Sequence, residues 1–472
     1  MMKIAGKKRW TWIICLAMIS GDVIAQDTTR ILRHEFSVQQ AVEYANKNNV
    51  QVKNALLNVE VQQQTNREIT AAAYPQINGS ISATYNSNVA TQTFPNFIAA
   101  ATYGVLTQED VRKGNGSPIV TPSDFGFIQA QFRTKFNAAA GVDLRQLLFD
   151  GQVFVGLQAR TTSIDFQKKN VEVTEELIKA NIHKVYYQLV VSKTQIELLD
   201  TNIIRLDKLL HDTREIYKNG FAEKLDVDKV SVQLANLQTE RIKALNGIEN
   251  GYMGLKLLIG MPVKDSLVLT DTLSYAQIKE GVLENSNYQY SDRKEFQYAA
   301  LGKKLREYNI RRYKLSQVPT VDLSGSYYKN AQRNNALFFN GQYSTISYIS
   351  IHISVPIFNG FSAKAKIQRS KIELQQTINE IEGLKLTIDR DVEQSKINFS
   401  SAIASLDFQK KNMELAEQVY NQTKKKYESG LGSNLEINAA QTDLKTAETN
   451  YITALYDAII ARVDFLKATG KL

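Results

Sequence analysis

Two long stretches of the chain carry hydrophobic residues at a period of seven. In the first stretch these positions are Ile182, Leu189, Ile196, Ile203, Leu210 and Tyr217. In the second stretch they are Val392, Phe399, Leu406, Met413, Tyr420 and Tyr427. The two sets lie 210 residues apart, a whole multiple of seven, so the repeat keeps the phase of a buried helical seam. The pattern predicts one structural unit made twice, with a long coiled-coil helix in each copy.

Each heptad stretch is followed by a predicted reversal and a return helix. We expect long helices over residues 152–219 and 361–429, each on the order of 100 Å in length at about 1.5 Å per residue. Glycine then stands where a left-handed cap can end a helix. The residues at the two predicted tips, near positions 220 and 430, are Asn219, Gly220, Phe221, Ser429, Gly430 and Leu431. The chain is therefore expected to form two helical hairpins.

The hydrophobic period changes from helical to two in the segment before each long helix. Pro75 and Pro319 end the preceding helices, because proline lacks the backbone N–H and clashes with the turn before it. Alternation then predicts four strands, at about 76–86, 132–148, 320–330 and 345–357. The segment between the strands of the first pair is longer than the one in the second pair. We expect its additional residues, at about 87–126, to form a larger external loop.

The predicted strands have one apolar and one polar side. Polar positions that carry charge or a titratable ring include Arg133, Lys135, Asp143, Arg145 and His352. Strands of about ten residues with strict alternation are typical of membrane β-barrels, whose lumen is polar. These five residues are therefore candidates for a barrel lumen. The alternative is a set of soluble hairpins, each with one face on a core.

A barrel imposes a condition on this chain, because four strands cannot close on themselves. Lipid offers no hydrogen-bond partners for the amides of an open sheet edge. Several copies must then contribute strands to one wall. The membrane interpretation thus predicts an oligomer.

The N-terminus has the three parts of an export signal, which we place at residues 1–25. Basic residues precede an apolar stretch, and small residues follow at Val23-Ile24-Ala25. The alternative, a membrane anchor, is disfavoured because the apolar stretch is short for a spanning helix. The single cysteine, Cys15, lies in this segment, so the exported chain would have no disulfide or thiol chemistry.

These signals divide the chain into a signal, two repeats and two connecting segments. An N-terminal segment covers residues 26–36, and the first repeat covers 37–262. An inter-repeat linker follows at 263–290, and the second repeat covers 291–472. The formal net charge of +9 becomes +6 without the signal, and it is spread along the chain, which disfavours nucleic-acid binding.

Sequence motifs for enzymatic chemistry are missing from the chain. The four histidines do not stand at metal-ligand spacing, and no phosphate-binding loop, nucleophile elbow or dinucleotide fingerprint occurs. We therefore interpret the chain as a non-enzyme that needs no cofactor and no metal.

Carboxylates and tyrosines near the hairpin tips are the remaining candidates. Asp226, Asp228 and Glu436 begin the return helices, and in an oligomer each would form a ring of negative charge that constricts a pore. The alternative is helix capping, since carboxylates favour helix N-termini and residues 433–436 match a capping box. Tyr217 and Tyr427 close the heptad seams, where they either pack or restrain the tips through their hydroxyls.

The order of elements resembles that of the TolC-like outer-membrane efflux proteins over essentially all of the exported chain. The resemblance is carried by the duplicated helix–strand–strand–long helix–return helix order. It is also carried by the turns Phe149-Asp-Gly151 and Pro356-Ile-Phe-Asn-Gly360 and by the two glycine tips. It implies a mainly α fold with a membrane β-barrel: a homotrimer with a 12-stranded barrel in outer-membrane lipid and a long α-helical periplasmic barrel.

The resemblance also implies partners. A periplasmic adaptor protein would engage the six tip residues, and an inner-membrane transporter of the RND or ABC type would supply cargo. In this family, two acidic residues three positions apart can line the periplasmic entrance. Here Glu436 matches the first, whereas Ala439 stands at the second and Gly432 replaces a nearby arginine. The double acidic ring of the family is therefore not reproduced.

The predicted function is an outer-membrane channel-tunnel that exports small molecules as part of a tripartite efflux pump. One alternative is the exit duct of a type I protein secretion system, which the residues do not separate from efflux. Another is a soluble periplasmic helical scaffold or adaptor, for which a single hairpin would be expected instead of two.

Overall fold

The computed structural model describes residues 32–131, 133–272, 278, 288–334 and 343–472. The predicted export signal lies outside the described residues, as do parts of the predicted N-terminal segment and linker. The helices are α1 Val38–Asn48, α2 Val50–Ala71, α3 Phe97–Gln108, α4 Gly151–Lys218, α5 Lys224–Ile259, α6 Lys294–Leu315, α7 Ser362–Glu428 and α8 Asn434–Ala468. The strands are β1 Arg33–Phe36, β2 Gln76–Tyr85, β3 Gln92–Pro95, β4 Phe127–Ala130, β5 Phe136–Phe149, β6 Ser266–Leu269, β7 Thr320–Arg333 and β8 Ser344–Ser354.

The fold is mainly helical, with a pair of long strands inserted between helices in each half, as predicted. Helices α4 and α7 have 68 and 67 residues, and each is followed by a return helix, α5 or α8. Among the described residues, no helix is both long enough and apolar enough to cross a membrane.

The heptad positions of the long helices pack against neighbouring helices, above all the return helices. Ile182, Leu189 and Leu210 are buried on α4, and Phe399 and Leu406 are buried on α7. Towards the tips, one apolar cluster combines side chains from all four hairpin helices, including Leu206, Val230, Tyr420 and Ile437. The seam predicted from the sequence is therefore also the surface that joins the two hairpins.

The helical segment that precedes Pro75 is divided into two helices, α1 and α2. The Asn49 side chain accepts hydrogen bonds from the backbone N–H groups of Gln51 and Val52, so it caps α2 and separates it from α1. Asparagine competes for backbone groups in this way, which explains the break. A capping box formed by Ser37 and Gln40 begins α1.

The four long strands form one antiparallel sheet in the order β2-β5-β7-β8. Opposite residues share a face, so the register places Ile77, Leu144, Gly325 and Ile349 on one side. This face is exposed in the single chain; Ile349 is 82% exposed. The opposite face is polar. Strands β2 and β8 are its two edges, and within the described chain each pairs on one side only.

One predicted strand begins later than expected. We placed it at about 132–148, but β5 begins at Phe136, so Arg133 and Lys135 lie in the irregular segment before it. The Thr134 hydroxyl bonds to Asn137 Oδ1 at 2.9 Å, and the Asn137 amide bonds back to the Thr134 carbonyl at 3.2 Å. These local side-chain bonds replace the regular strand geometry.

Two small sheets were not predicted. Strand β1 runs parallel to β6, so the N-terminal segment is tied to the start of the inter-repeat linker. The surplus between β2 and β5 is also ordered: β3 pairs with β4, and α3 lies between them. Both strand pairs are only four residues long, which is too short for a clear alternation in the sequence.

Candidate functional site

The hairpin tips have the glycine-ended geometry that the sequence predicted. Gly220 has φ +79° and Gly430 has φ +75°, the left-handed conformation that lets each long helix end. The residues that follow project outward: Phe221 is 86% exposed and Leu431 is 78% exposed. Large apolar side chains with this exposure are a surface that a protein partner can cover.

A groove of about 480 Å³ lies beside the tips, between the first turns of the two return helices. It is lined by Leu225, Asp226, Asp228, Lys229, Val232, Gln233, Asn434, Leu435 and Asn438. Three polar atoms there, Gln233 Oε1, Asn434 Nδ2 and Asn438 Oδ1, are buried without a hydrogen-bond partner among the described residues. Unpaired buried polar atoms are unfavourable, so the two oxygens can accept hydrogen bonds from an added chain and the Asn434 amide can donate one to it. The sequence reading missed it because it forms only when the two hairpins meet.

Glu436 is paired with a lysine across its own hairpin. Lys426 Nζ lies 2.8 Å from Glu436 Oε2, and both side chains are about half-exposed. The hydrogen bond and charge of Lys426 lower the pKa of Glu436, with a further contribution from the backbone of Ser433. Ser433 Oγ also accepts a hydrogen bond from the Glu436 N–H at 3.2 Å, as expected for a helix cap. The carboxylate is therefore ionised at neutral pH, with a compensating positive charge beside it.

Asp226 caps its helix. Its carboxylate accepts a hydrogen bond from the Glu223 N–H at 3.3 Å, at the N-terminus of α5. Asp228 lies two residues further along the same helix and lines the groove. The structure thus places both aspartates beside the start of α8, where Glu436 also lies.

The two seam tyrosines have different surroundings. Tyr427 is buried, and its hydroxyl lies 3.2 Å from the hydroxyl of Thr213 on α4, so the pair joins the two hairpins. Tyr217 is 44% exposed. Because only Tyr427 has both packing and a hydroxyl partner across the hairpins, it is the stronger candidate for a tip restraint.

A buried polar network, which the sequence reading missed, joins α4 to α8 above the tips. Glu448, only 5% exposed, accepts hydrogen bonds from Asn202 Nδ2 and from Arg205 Nη1, the latter at 3.0 Å. Gln441 donates to Asn202 Oδ1 at 2.8 Å. Arg205 also lies 3.6 Å from Glu417 of α7. We name Asn202, Arg205, Gln441 and Glu448 the hairpin network.

The sheet carries three of the five predicted lumen residues on its polar face. Asp143 accepts hydrogen bonds from the hydroxyls of Ser326 and Tyr328. Arg145 lies 3.4 Å from Asp322, which stands opposite His352 on β8. Arg133 and Lys135 are not strand residues, as described above.

The described residues hold no group of three or more His, Cys, Asp or Glu side chains that could bind a metal ion. His183 is packed on α4; burial, with the nearby charges of Lys179 and Arg462, lowers the pKa of its imidazole to about 4. It is therefore neutral at neutral pH.

The two long helical hairpins are joined to an antiparallel sheet with one apolar and one polar face. This is the architecture of channel-forming outer-membrane proteins with helical extensions. The family model for "Outer membrane efflux protein" matches residues 290–471. The outer membrane efflux protein BepC of Brucella suis is 20% identical over 70% of this chain and 72% of its own. The crystal structure of the outer membrane protein VceC from Vibrio cholerae has the same fold, with a TM-score of 0.68 at 15% identity over 92% of this chain and 96% of that one. The Campylobacter jejuni CmeC outer membrane channel has a TM-score of 0.70 at 14% identity, over 92% of this chain and 85% of that one.

Residues 290–471 thus match the outer membrane efflux protein family, and the relatives and solved structures together support a TolC-like outer-membrane efflux protein. This family consists of structural channels and is not a known enzyme family. Its members work with adaptors and inner-membrane pumps in tripartite systems. The predicted resemblance to this family is confirmed, as is the predicted location in the outer membrane.

Proposed function

We propose that three copies of this protein form an outer-membrane channel-tunnel that exports small molecules as the last component of a tripartite efflux pump. The observation that carries the proposal is the four-stranded sheet, which has two edges, one apolar face and one polar face. Three such sheets would supply twelve strands, with the apolar face towards lipid and Asp143, Arg145 and His352 towards the lumen.

The edges explain why the assembly needs several copies. β2 and β8 each leave one row of backbone groups for a further strand, and a neighbouring copy offers the complementary edge. Pairing β2 of one copy with β8 of the next would continue the sheet, and closure would remove every edge. The long hairpins, attached to the same end of each sheet, would then form a second wall that continues the duct.

We propose that a periplasmic adaptor binds the tips and the neighbouring groove. Phe221 and Leu431 offer exposed apolar anchors, and the groove between α5 and α8 offers unpaired polar atoms beside them. This combination suits a helical or extended segment that buries apolar side chains while it donates and accepts hydrogen bonds. The Thr213–Tyr427 hydroxyl pair would restrain the two hairpins until the adaptor moves them.

The membrane orientation of the sheet is tested by a matched pair of lysine substitutions on β8. Ile349→Lys places a charge on the apolar face near the middle of the strand, where it is expected to cost about 2–4 kcal/mol in lipid. Ser350→Lys places the same charge on the polar face, where Ser350 faces Ser324. We expect the first variant to lose most of its outer-membrane trimer and the second to retain it.

The measurements are membrane fractionation, mobility on unboiled gels and conductance of the purified assembly in planar bilayers. Equal amounts of trimer for the two lysine variants would contradict the proposed orientation. A parent protein that stays in the aqueous fraction as a monomer without conductance would overturn the function itself.

We also propose that the Glu436–Lys426 pair lines the periplasmic entrance, so that the two charges there largely cancel. Glu436→Gln would leave Lys426 uncompensated and shift the conductance towards anions by roughly a few-fold, as expected for exposed charges in water. Lys426→Gln would shift it towards cations by a similar factor. The permeability ratio for a monovalent salt gradient measures both shifts. Unchanged permeability ratios in both variants would contradict a role of the pair in ion selectivity. Glu436 would then act only at the start of α8.

A further inference from the structure

The helix in the long external loop has an unusual surface. Residues 69–108 contain no Asp, Glu, Lys, Arg or His, and this run includes β2, β3 and all of α3. The residues of α3 are Phe-Ile-Ala-Ala-Ala-Thr-Tyr-Gly-Val-Leu-Thr-Gln. A helix that is apolar on all sides is normally buried. In the single chain, however, α3 has no buried residue.

The loop itself covers one side of α3. The ring of Tyr103 packs against Phe125 with a centroid distance of 5.6 Å, and the Thr107 hydroxyl lies 3.3 Å from that of Thr121. Asn96 caps the helix through a hydrogen bond from the Ala99 N–H at 3.0 Å. The helix is thus formed and held in one orientation.

The other side of α3 is open. Phe97, Ile98 and Val105 are more than half exposed, and Ile98 and Val105 lie two helical turns apart on one face. Gly104 has no atom near the position of an added side chain, so a neighbouring backbone could approach closely there. The charges of the loop begin just past the helix, with Glu109, Asp110, Arg112 and Lys113.

The position of the loop brings α3 to the boundary between copies. It joins β2 to β5 at the end of the sheet that is opposite the long helices. Because β2 is an edge strand, its last residue lies where the next copy must pair in the proposed trimer. The loop that carries α3 therefore leaves the sheet at the edge where neighbouring chains would meet.

We propose that α3 packs against the same helix of the other copies and forms an apolar cap over the external mouth of the channel. The charge-free surface supports this choice, because any charge near a threefold axis recurs with the same sign in each copy and repels itself. A helix that lies on a lipid surface usually carries Lys or Arg on its polar side, and α3 has neither. This proposal rests on the proposed trimeric channel.

Disulfide cross-linking tests the contact, with Cys15→Ser as the background. Ile98→Cys and Val105→Cys are placed on the open face of α3, and Ser123→Cys is the matched control in an exposed part of the same loop. Under mild oxidation, each α3 variant is expected to give several-fold more covalent dimer than the control. A single cysteine near a threefold axis allows at most one disulfide per trimer, so one chain in each trimer remains unlinked.

Unboiled gels of the same samples separate the possible failures. A trimer in which both α3 variants cross-link no more than Ser123→Cys would overturn the cap and leave the channel proposal standing. Labelling of Ile98→Cys by a lipid-soluble thiol reagent in place of cross-linking would assign α3 to the outer leaflet and also overturn the cap. A protein that forms no trimer would overturn both proposals.

A second measurement tests the effect of the cap on transport. Ile98→Glu would place like charges close together around the axis and push the helices apart, while the strands hold the trimer. We expect a higher single-channel conductance for Ile98→Glu than for Ser123→Glu, which adds the same charge outside the contact. Equal conductances would show that α3 does not obstruct the mouth.

Discussion

Glu448→Ala is expected to destabilise the assembled protein by about 3–5 kcal/mol, the usual cost when one partner of a buried ion pair is removed. Glu448 joins α8 to α4 through Asn202 and Arg205, and it is almost completely buried. Alanine would leave the Asn202 amide without this partner. It would also leave Arg205, whose side chain is only 21% exposed, with Glu417 as its remaining carboxylate. The thermal unfolding of the purified trimer, followed by circular dichroism at fixed protein concentration, measures the loss.

Glu417→Ala is the matched control, because it removes the other carboxylate near the same arginine. The Glu417 side chain is 50% exposed and lies 3.6 Å from Arg205, so its loss should cost about 0–1 kcal/mol. Similar melting temperatures for the two variants would contradict the importance of burial. A large loss for both would show that Arg205 depends on the two carboxylates equally.

The second large effect is expected at Gly260, which ends α5 with φ +76°. A Cβ there would lie 2.4 Å from the carbonyl oxygen of Asn48 and 2.9 Å from the nitrogen of Asn49. These are backbone atoms at the junction of α1 and α2, so they cannot rotate away. Gly260→Ala should cost about 1–2 kcal/mol for the left-handed conformation and about 1–3 kcal/mol more for the overlap.

Gly430→Ala separates these two contributions. Gly430 has nearly the same conformation, φ +75°, but open space around its Cα. Its substitution should therefore cost only the conformational part. Both variants are compared by thermal unfolding and by the yield of trimer. Equal losses would mean that the contact between Gly260 and the α1–α2 junction relaxes without cost.

Much of the architecture could be predicted because it depends on local signals. Pro75 and Pro319 preceded the strands, Gly220 and Gly430 ended the long helices, and the spacing of Leu189 and Leu406 gave the seam of both repeats. Each signal acts within a few residues of the element that it defines. Where local side-chain hydrogen bonds were overlooked, the predicted boundaries were wrong. Asn49 divides the helical segment before Pro75 into two helices, and near Thr134 the strand β5 begins a few residues later than predicted.

The candidate site was less predictable than the fold. The sequence placed Glu436 and Asp226 at the starts of return helices, and both are there. It did not show that Lys426 faces Glu436 across the turn, so the predicted ring of bare negative charge was incomplete. The choice between Tyr217 and Tyr427 also needed the structure, because the two residues occupy equivalent positions in the repeat but have different neighbours.

The hydrophobic periodicity and the proline and glycine residues that end helices were sufficient to determine the duplicated unit, the two hairpins and the alternating strands. These features follow from backbone preferences and the spacing of apolar side chains. Partners far apart in the chain were decided by packing alone. Arg205 and Glu448, Thr213 and Tyr427, and strands β5 and β7 meet only because of how the helices rotate and the sheets join. Those rotations depend on the summed contacts of whole helices and strands, so they cannot be predicted from any short stretch of the sequence.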